Sequence, residues 1–516
     1  DAGVEVIDPS SGSSRTALGA IRGEALGGIG IYRGLRYALP PTGDARWTAP
    51  LAAPAWDGTF DATRFGPACM QPTTPFIPDG ELPSRDEQSE DCLTLNVWTA
   101  ARTQGDALPV MVWIHGGGWT IGSGSARLYD GSRLASEGVV VVTFNYRLGP
   151  LGYLAHELLD AESPDGASGN YGMRDQLLAL EWVRDHVRAF GGDPGNVTVF
   201  GESAGAGSVC NLLVAPSAFG LFHRAVIQSA SCIAPVRDLR TSSARWPSAH
   251  ELGASVEAGL ACDATPDPLA CMRAASFDEI AAAGMLASGT FEEGNKFWPV
   301  VDGLLLPEQP RAAIEAGRWA RVPVIAGSNR DEAALFRSAF RAIDSRAAFE
   351  AAVQATFGAR AAPRVLEVYP VASDADAAAA YEQLITDFTF ACPARRTLRA
   401  FVETAATPAW LYQLTQVHPS GAASGLGAYH GADILYVFGN LNVNDRYTIP
   451  EDDERLADAV VSLWTRFAAT GDPNVAGGTE WPPYDALADA HLALEWPLVT
   501  GSGLRRAQCD VYDSFF

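Results

Sequence analysis

One serine stands inside a run of small residues, Gly201-Glu202-Ser203-Ala204-Gly205. Glycines two positions on either side allow a turn so tight that the serine backbone is strained, which holds the hydroxyl clear for a substrate carbonyl. Ser203 is therefore a candidate nucleophile for acyl transfer. Upstream, His115-Gly116-Gly117-Gly118-Trp119 offers glycine N–H groups that can approach a bound atom closely. Gly117 and Gly118, with the N–H of Ala204, would form an oxyanion hole, each donor contributing about 3–4 kcal/mol to the tetrahedral state. Such a nucleophile also needs a general base and a carboxylate to orient it.

The elements that must position these residues are legible around them. Asn196-Val197-Thr198-Val199-Phe200 reads as a strand running into the serine turn, and Ala206 through Leu213 as the helix that leaves it. The apolar run Val110–Ile114 reads as a buried parallel strand that empties into the glycines. Strand, serine turn and helix in this order describe the nucleophile elbow of an α/β-hydrolase, a large, mostly parallel central sheet flanked by helices. In that fold the acid and then the histidine follow the nucleophile, which leaves His250, His418, His430 and His491 of the eight histidines. His430, in the glycine-flanked loop Gly427–Ile434, stands out, with His418 as its rival. The acid falls after the strand-like Val322–Ala326, where Asp331 and Glu332 compete.

The chain resembles the type-B carboxylesterases, the family of carboxylesterases, cholinesterases and large fungal lipases. Tyr32–Ala38 with Pro40-Pro41, Glu90–Val97, Phe144–Gly149, Gly169–Gly172 with Asp175-Gln176, Phe190–Pro194, Phe467-Ala468 and Gly471–Asn474 match its motifs in order along almost the whole length. The resemblance assigns the acid to Glu332, although Ala333 stands where the family usually has glycine, and it selects His430, in His430–Asp433, as the base. It implies that Glu202 tunes the charge of the site, that Arg46 with Glu90 and Arg147 with Asp175 are structural ion pairs, and that Trp119, Phe297, Trp298, Leu335 and Phe336 line the substrate pocket. It pairs Cys69 with Cys92, Cys262 with Cys271 and Cys392 with Cys509. Cys210 and Cys232, left over, are expected as buried free thiols. The Cys69–Cys92 loop lacks the tryptophan with which cholinesterases bind choline. A choline preference is therefore not expected, and the aromatic pocket favours short-to-medium acyl or aromatic esters. A lipase is the alternative, disfavoured by the polar, proline-rich character of that loop. A non-catalytic binding relative would have no need of a complete serine, glutamate and histidine set.

Composition limits the remaining classes. A net charge of −24, from 37 basic and 61 acidic residues, argues against nucleic acid and anionic lipid as partners. No apolar run approaches the roughly 20 residues of a membrane span. No linker or repeat divides the chain, so one domain over residues 1–516 is expected, with Thr241–Ala283 as a helical excursion over the sheet. No cysteine spacing suits a metal, so no metal is expected, and the chemistry calls for no cofactor. The disulfides expected from the resemblance imply an oxidising compartment. A start at Asp1 with neither Met nor a hydrophobic leader is read as a processed secretory signal, hence a secreted or periplasmic protein.

Overall fold

The computed structural model describes residues 8–73, 83–244, 246–287, 294–405, 407–443 and 445–515. Its centre is an 11-stranded sheet. In chain order the strands are β1 (Glu24–Leu26), β2 (Ile29–Arg36), β3 (Thr94–Thr99), β4 (Leu108–Ile114), β5 (Val140–Phe144), β6 (Gly192–Glu202), β7 (Arg224–Gln228), β8 (Val324–Asn329), β9 (Ala409–Leu414), β10 (Ala490–Leu494) and β11 (Val499–Ser502). In space they run β11-β10-β9-β8-β7-β6-β4-β5-β3-β2-β1. Neighbours from β10 across to β5 are parallel. The two flanks are antiparallel.

The central strands are buried over their carboxyl-terminal portions because both of their faces are covered there. Val110, Val112 and Ile114 of β4 join Val197, Val199, Ala225 and Ile227 in one core, against Leu180 and Val183 of helix α1 (Tyr171–His186) and Val209, Leu212 and Leu213 of α2 (Ala204–Val214). The alternate residues Met111 and Trp113 point the other way, as the period of two demands. There they meet Phe200, Val226, Ile325 and Trp410, covered by Val460, Val461, Trp464 and Phe467 of the helix Glu451–Thr470. A third apolar cluster joins the helices Arg346–Val368 and Ala377–Thr386 to the C-terminal helix through Phe349, Val353, Leu384 and Tyr512. The Thr241–Ala283 stretch supplies the helices Ala249–Gly259, Pro268–Ala274 and Phe277–Ala283. Among the described residues no helix is long and apolar enough to cross a membrane.

Two ion pairs brace the segments around this sheet. Arg147 and Asp175 meet at 2.7 Å and are buried, while Arg46 reaches Glu90 at 2.5 Å at the edge of solvent. Arg395 and Asp489 form a further buried pair at 2.5 Å that the sequence did not single out.

Cys69–Cys92, Cys262–Cys271 and Cys392–Cys509 are bonded. Cys210 and Cys232 are bonded as well, which corrects the expectation of free thiols. The correction has a simple cause. Cys210 lies on α2 and Cys232 just past β7, and since β7 lies beside β6 the chain returns alongside the helix, with the two Cα atoms 4.8 Å apart. That separation lies within the range a disulfide bridges. Buried thiols and a buried bridge give the same local sequence signal.

Candidate active site

Ser203, the glycine loop, Glu332 and His430 all lie at or beyond the carboxyl end of a central strand, where ligands bind in open α/β sheets. At the end of β6, Ser203 has φ 55° and ψ −123°, a conformation that L-residues avoid, and α2 begins at the next residue. The flanking glycines are needed for close approach. A Cβ on Gly205 would lie 1.9 Å from the carbonyl oxygen of Ile114, and one on Gly201 2.7 Å from the same atom. The elbow therefore sits directly on the end of β4. A Cβ on Gly116 would fall 3.1 Å from Ser203 Cβ, so the glycine loop folds over the serine. Gly117 and Gly118 both have positive φ, 100° and 62°. Among the described residues the N–H groups of Gly117, Gly118 and Ala204 donate to no protein acceptor.

His430 and Glu332 come together from loops beyond β9 and β8. His430 Nδ1 lies 2.6 Å from Glu332 Oε2. The other carboxylate oxygen of Glu332 accepts from Ser229 Oγ and from the Asn329 N–H, both at 2.6 Å. The carboxylate is thus fully engaged, and its geometry fixes the ring. On the far side of the ring, His430 Nε2 faces the elbow, 3.1 Å from Oε1 of Glu202, the residue before Ser203. That contact is within ion-pair distance but makes no hydrogen bond, since Oε1 has no hydrogen-bond partner. The rings of Phe336 and Phe390 each lie 5.0 Å from the imidazole. Asp433 accepts from Gln228, Tyr412 and Asn329.

The alternatives that the residues left open have other partners. Asp331 accepts from the Ala428 N–H at 2.8 Å and pairs with Arg330. His418 caps a short helix, with Nδ1 2.7 Å from Ser420 Oγ and Nε2 2.9 Å from the Leu441 carbonyl oxygen.

Three carboxylates around one imidazole shape the electrostatics. Burial opposes a proton on His430, but Glu202, Glu332 and Asp433 more than reverse this and hold its pKa up at about 9. Burial likewise pushes Glu202 up to about 8, against the pull of His430. His115 behaves oppositely. It is buried without a carboxylate beside it, and its pKa falls to about 4.

The pocket residues divide. Trp119 continues the glycine loop, with its ring over Gly207, where a Cβ would lie 2.7 Å from the indole. Its Nε1 donates to Ser208 Oγ at 2.9 Å. Trp298 packs against it, with ring centroids 5.4 Å apart. Both rings are half-buried, as are Leu335 and Phe336. Phe297 is buried in the main core against Gly284, so the open aromatic surface here comes from its neighbour Trp298. Pro75, Phe76 and Pro78 of the Cys69–Cys92 loop lie outside the described residues.

Sequence reasoning passed over Ser229, Asn329, Ser208 and Phe390. Ser229 and Phe390 reach the site from neighbouring elements, while Asn329 and Ser208 lie on the elements of Glu332 and Ser203 with no motif to mark them. A π-helical turn, Asp387–Ala391, carries Phe390, and such turns gather at functional sites, but the sequence does not announce one.

An open parallel sheet with a strained serine at a strand-to-helix turn defines an α/β-hydrolase. The family model described as the carboxylesterase family matches residues 10–512, and the chain belongs to that family. It is 36% identical over 477 residues to a fumonisin B1 esterase of Sphingopyxis macrogoltabida, covering 91% of this chain and 84% of that protein. It is also 36% identical over 487 residues to a para-nitrobenzyl esterase of Bacillus subtilis, covering 93% and 94%. A solved structure of a PNB esterase superposes with a TM-score of 0.82 at 32% identity, covering 97% of this chain and 99% of that one. The protein is a carboxylic ester hydrolase.

Proposed function

We propose that the protein cleaves short-to-medium acyl or aromatic carboxylic esters through an acyl-enzyme on Ser203. In this reading His430 takes the proton from Ser203 Oγ as the hydroxyl attacks the ester carbonyl, then gives it to the departing alcohol. Water repeats the cycle in reverse and releases the acid. Glu332 holds the imidazole in the tautomer with Nδ1–H and stabilises the imidazolium. The N–H groups of Gly117, Gly118 and Ala204 receive the oxyanion. The observation that carries the reading is the Glu332–His430 contact of 2.6 Å aimed at the elbow beneath the glycine loop.

The same geometry orients the substrate. The alcohol oxygen must face His430, and the carbonyl oxygen must face the glycine loop. The acyl group then runs along Gly207 toward Trp119 and Trp298, and the alcohol lies near Phe336. Apolar rings on both sides suit uncharged and aromatic esters. Phe336 alone is a thin cage for a quaternary ammonium. The continuity of the sheet from Glu24 to Ser502 supports a single domain. Four disulfides support a secreted or periplasmic location.

The test is kcat/KM for butyrate, octanoate and palmitate esters, a para-nitrobenzyl ester and a choline ester, with labelling by a serine-directed phosphonate mapped to Ser203. Butyrate or octanoate should lead. A choline ester more than tenfold better than its uncharged isostere, about 1.4 kcal/mol of transition-state binding, would remove the substrate assignment. A palmitate optimum with activation at an oil–water interface would move the protein to the lipases.

A further inference from the structure

The dipeptide Gln228–Ser229, at the end of β7, touches the serine turn, Glu332 and the helix that follows His430. The Ser203 N–H donates to the Gln228 carbonyl oxygen at 2.9 Å. Gln228 Nε2 donates to Asp433 Oδ2 at 2.9 Å, on the helix Ala432–Phe438 that begins two residues past His430. Ser229 Oγ donates to Glu332 at 2.6 Å, and the Ser229 N–H reaches the Gly327 carbonyl oxygen at 2.9 Å. Ser229 makes these contacts with φ at 57°, in the left-handed region that serine does not favour. Just beyond it, buried Cys232 is bonded to buried Cys210, two turns along α2 from Ser203.

We propose that the Cys210–Cys232 disulfide is a positioning element of the catalytic centre, fastening the helix that begins at the nucleophile to the dipeptide that holds nucleophile turn, acid and histidine helix in one register. This rests on the Ser203–Glu332–His430 reading above. The physical reason is attachment at two points. The Ser203–Gln228 and Ser229–Gly327 hydrogen bonds hold the end of β7 at one point, beyond which the segment from Ala230 to Cys232 is the lever that can turn it. The disulfide is the second point and holds that lever. Ser229 then keeps its uncommon backbone conformation, and Glu332 keeps the hydroxyl that aims its carboxylate. Loss of the bridge lets Ser229 relax, and Glu332 and His430 follow. Displacements of about 1 Å at such a distance from the chemistry cost as much as 10²-fold in rate.

The test uses the whole oxidised protein and a soluble p-nitrophenyl ester of a short acid. Cys210→Ala/Cys232→Ala should lower kcat about tenfold with KM changed by less than about twofold. The acid limb of the kcat profile should move to lower pH, because His430, faced by Glu202, Glu332 and Asp433, loses part of its hold on Glu332. Ser229→Ala added to this variant should cost little beyond Ser229→Ala alone, since both act through Glu332. A bridge that serves stability alone would lower Tm and leave kcat and the acid limb unmoved well below the unfolding temperature. That result overturns the proposal, as does full additivity with Ser229→Ala. If the double variant does not fold, Ala230→Gly/Ser231→Gly keeps the bridge and slackens the chain between it and Ser229. A loss of about threefold in kcat is then expected, and an unchanged kcat overturns the proposal. Phosphonate labelling of the parent protein separates the two readings. Label elsewhere than Ser203 removes the triad assignment. Label at Ser203 with unchanged kcat in the double variant removes only the role of the bridge.

Discussion

In the proposed mechanism Ser203, His430 and Glu332 do different work, so their substitutions should not cost the same. Ser203→Ala removes covalent catalysis and leaves only binding and the oxyanion donors, so kcat should fall by at least roughly 10⁴-fold with the fold intact by circular dichroism. Residual activity within tenfold of the parent would point to another nucleophile. Glu332→Gln should be milder than His430→Ala, because orientation matters less than proton transfer. The same mechanism makes Glu202 the residue through which pH acts. To accept the serine proton in that mechanism His430 must be neutral, and its neighbouring carboxylates raise its pKa to about 9, burial notwithstanding. Activity should therefore climb with pH along a limb that lies above the ordinary histidine value of about 6.5. Glu202→Gln removes one carboxylate, so the limb should move to lower pH. Because Glu202 and His430 titrate as a pair, the limb belongs to both. A pH–rate profile of kcat/KM for parent and variant checks the sign, and an unmoved limb would contradict it.

At the scale of elements, the site is an intersection of strand ends. β4 brings the glycine loop, β6 the serine, β8 the acid and the loop beyond β9 the histidine. Ion pairs set between elements hold the surrounding segments. Asp175 on α1 accepts from Nε and Nη2 of Arg147 and from its backbone N–H. Asp175→Ala leaves that guanidinium buried without its partner and should destabilise the protein by about 3–5 kcal/mol, read as a lower denaturant midpoint. Replacing Arg22, whose pairing with Asp61 is exposed to solvent, should leave the denaturant midpoint essentially unmoved in the same assay.

For the whole molecule, all eight cysteines are paired. Peptide mapping without reduction should return Cys69–Cys92, Cys210–Cys232, Cys262–Cys271 and Cys392–Cys509 and no alkylated thiol. A free Cys210 or Cys232 would contradict the fourth pairing. The Cys392–Cys509 bridge, with a sequence separation of 117, closes the longest loop. On chain entropy it should stabilise most, by about 4–5 kcal/mol. It ties the C-terminal helix Arg506–Asp513 to the helix Cys392–Thr404, within the cluster that holds Phe349, Val353 and Tyr512.

What the sequence determined by itself was local in character. Glycines at positions 201 and 205 mark a turn that no Cβ would allow, and the glycines after β4 mark a loop with bare N–H groups. Buried parallel strands announce themselves as apolar runs because both faces are covered. These signals lie within a few residues of the feature they describe. Resemblance to the family added Glu332, His430 and three cysteine pairs, which the residues alone left open. Only the tertiary structure decided which side chains meet across the sheet. Asp331 and Glu332 are adjacent in sequence, yet one turns to Ala428 and the other to His430. Ser229 reaches Glu332 because β7 lies beside β8, and Cys232 reaches Cys210 because β7 lies beside β6 and α2 follows β6. The order of strands in the sheet is set by long-range packing between segments far apart in the chain. No pattern within any one segment carries that information, so the partners it creates became visible only in three dimensions.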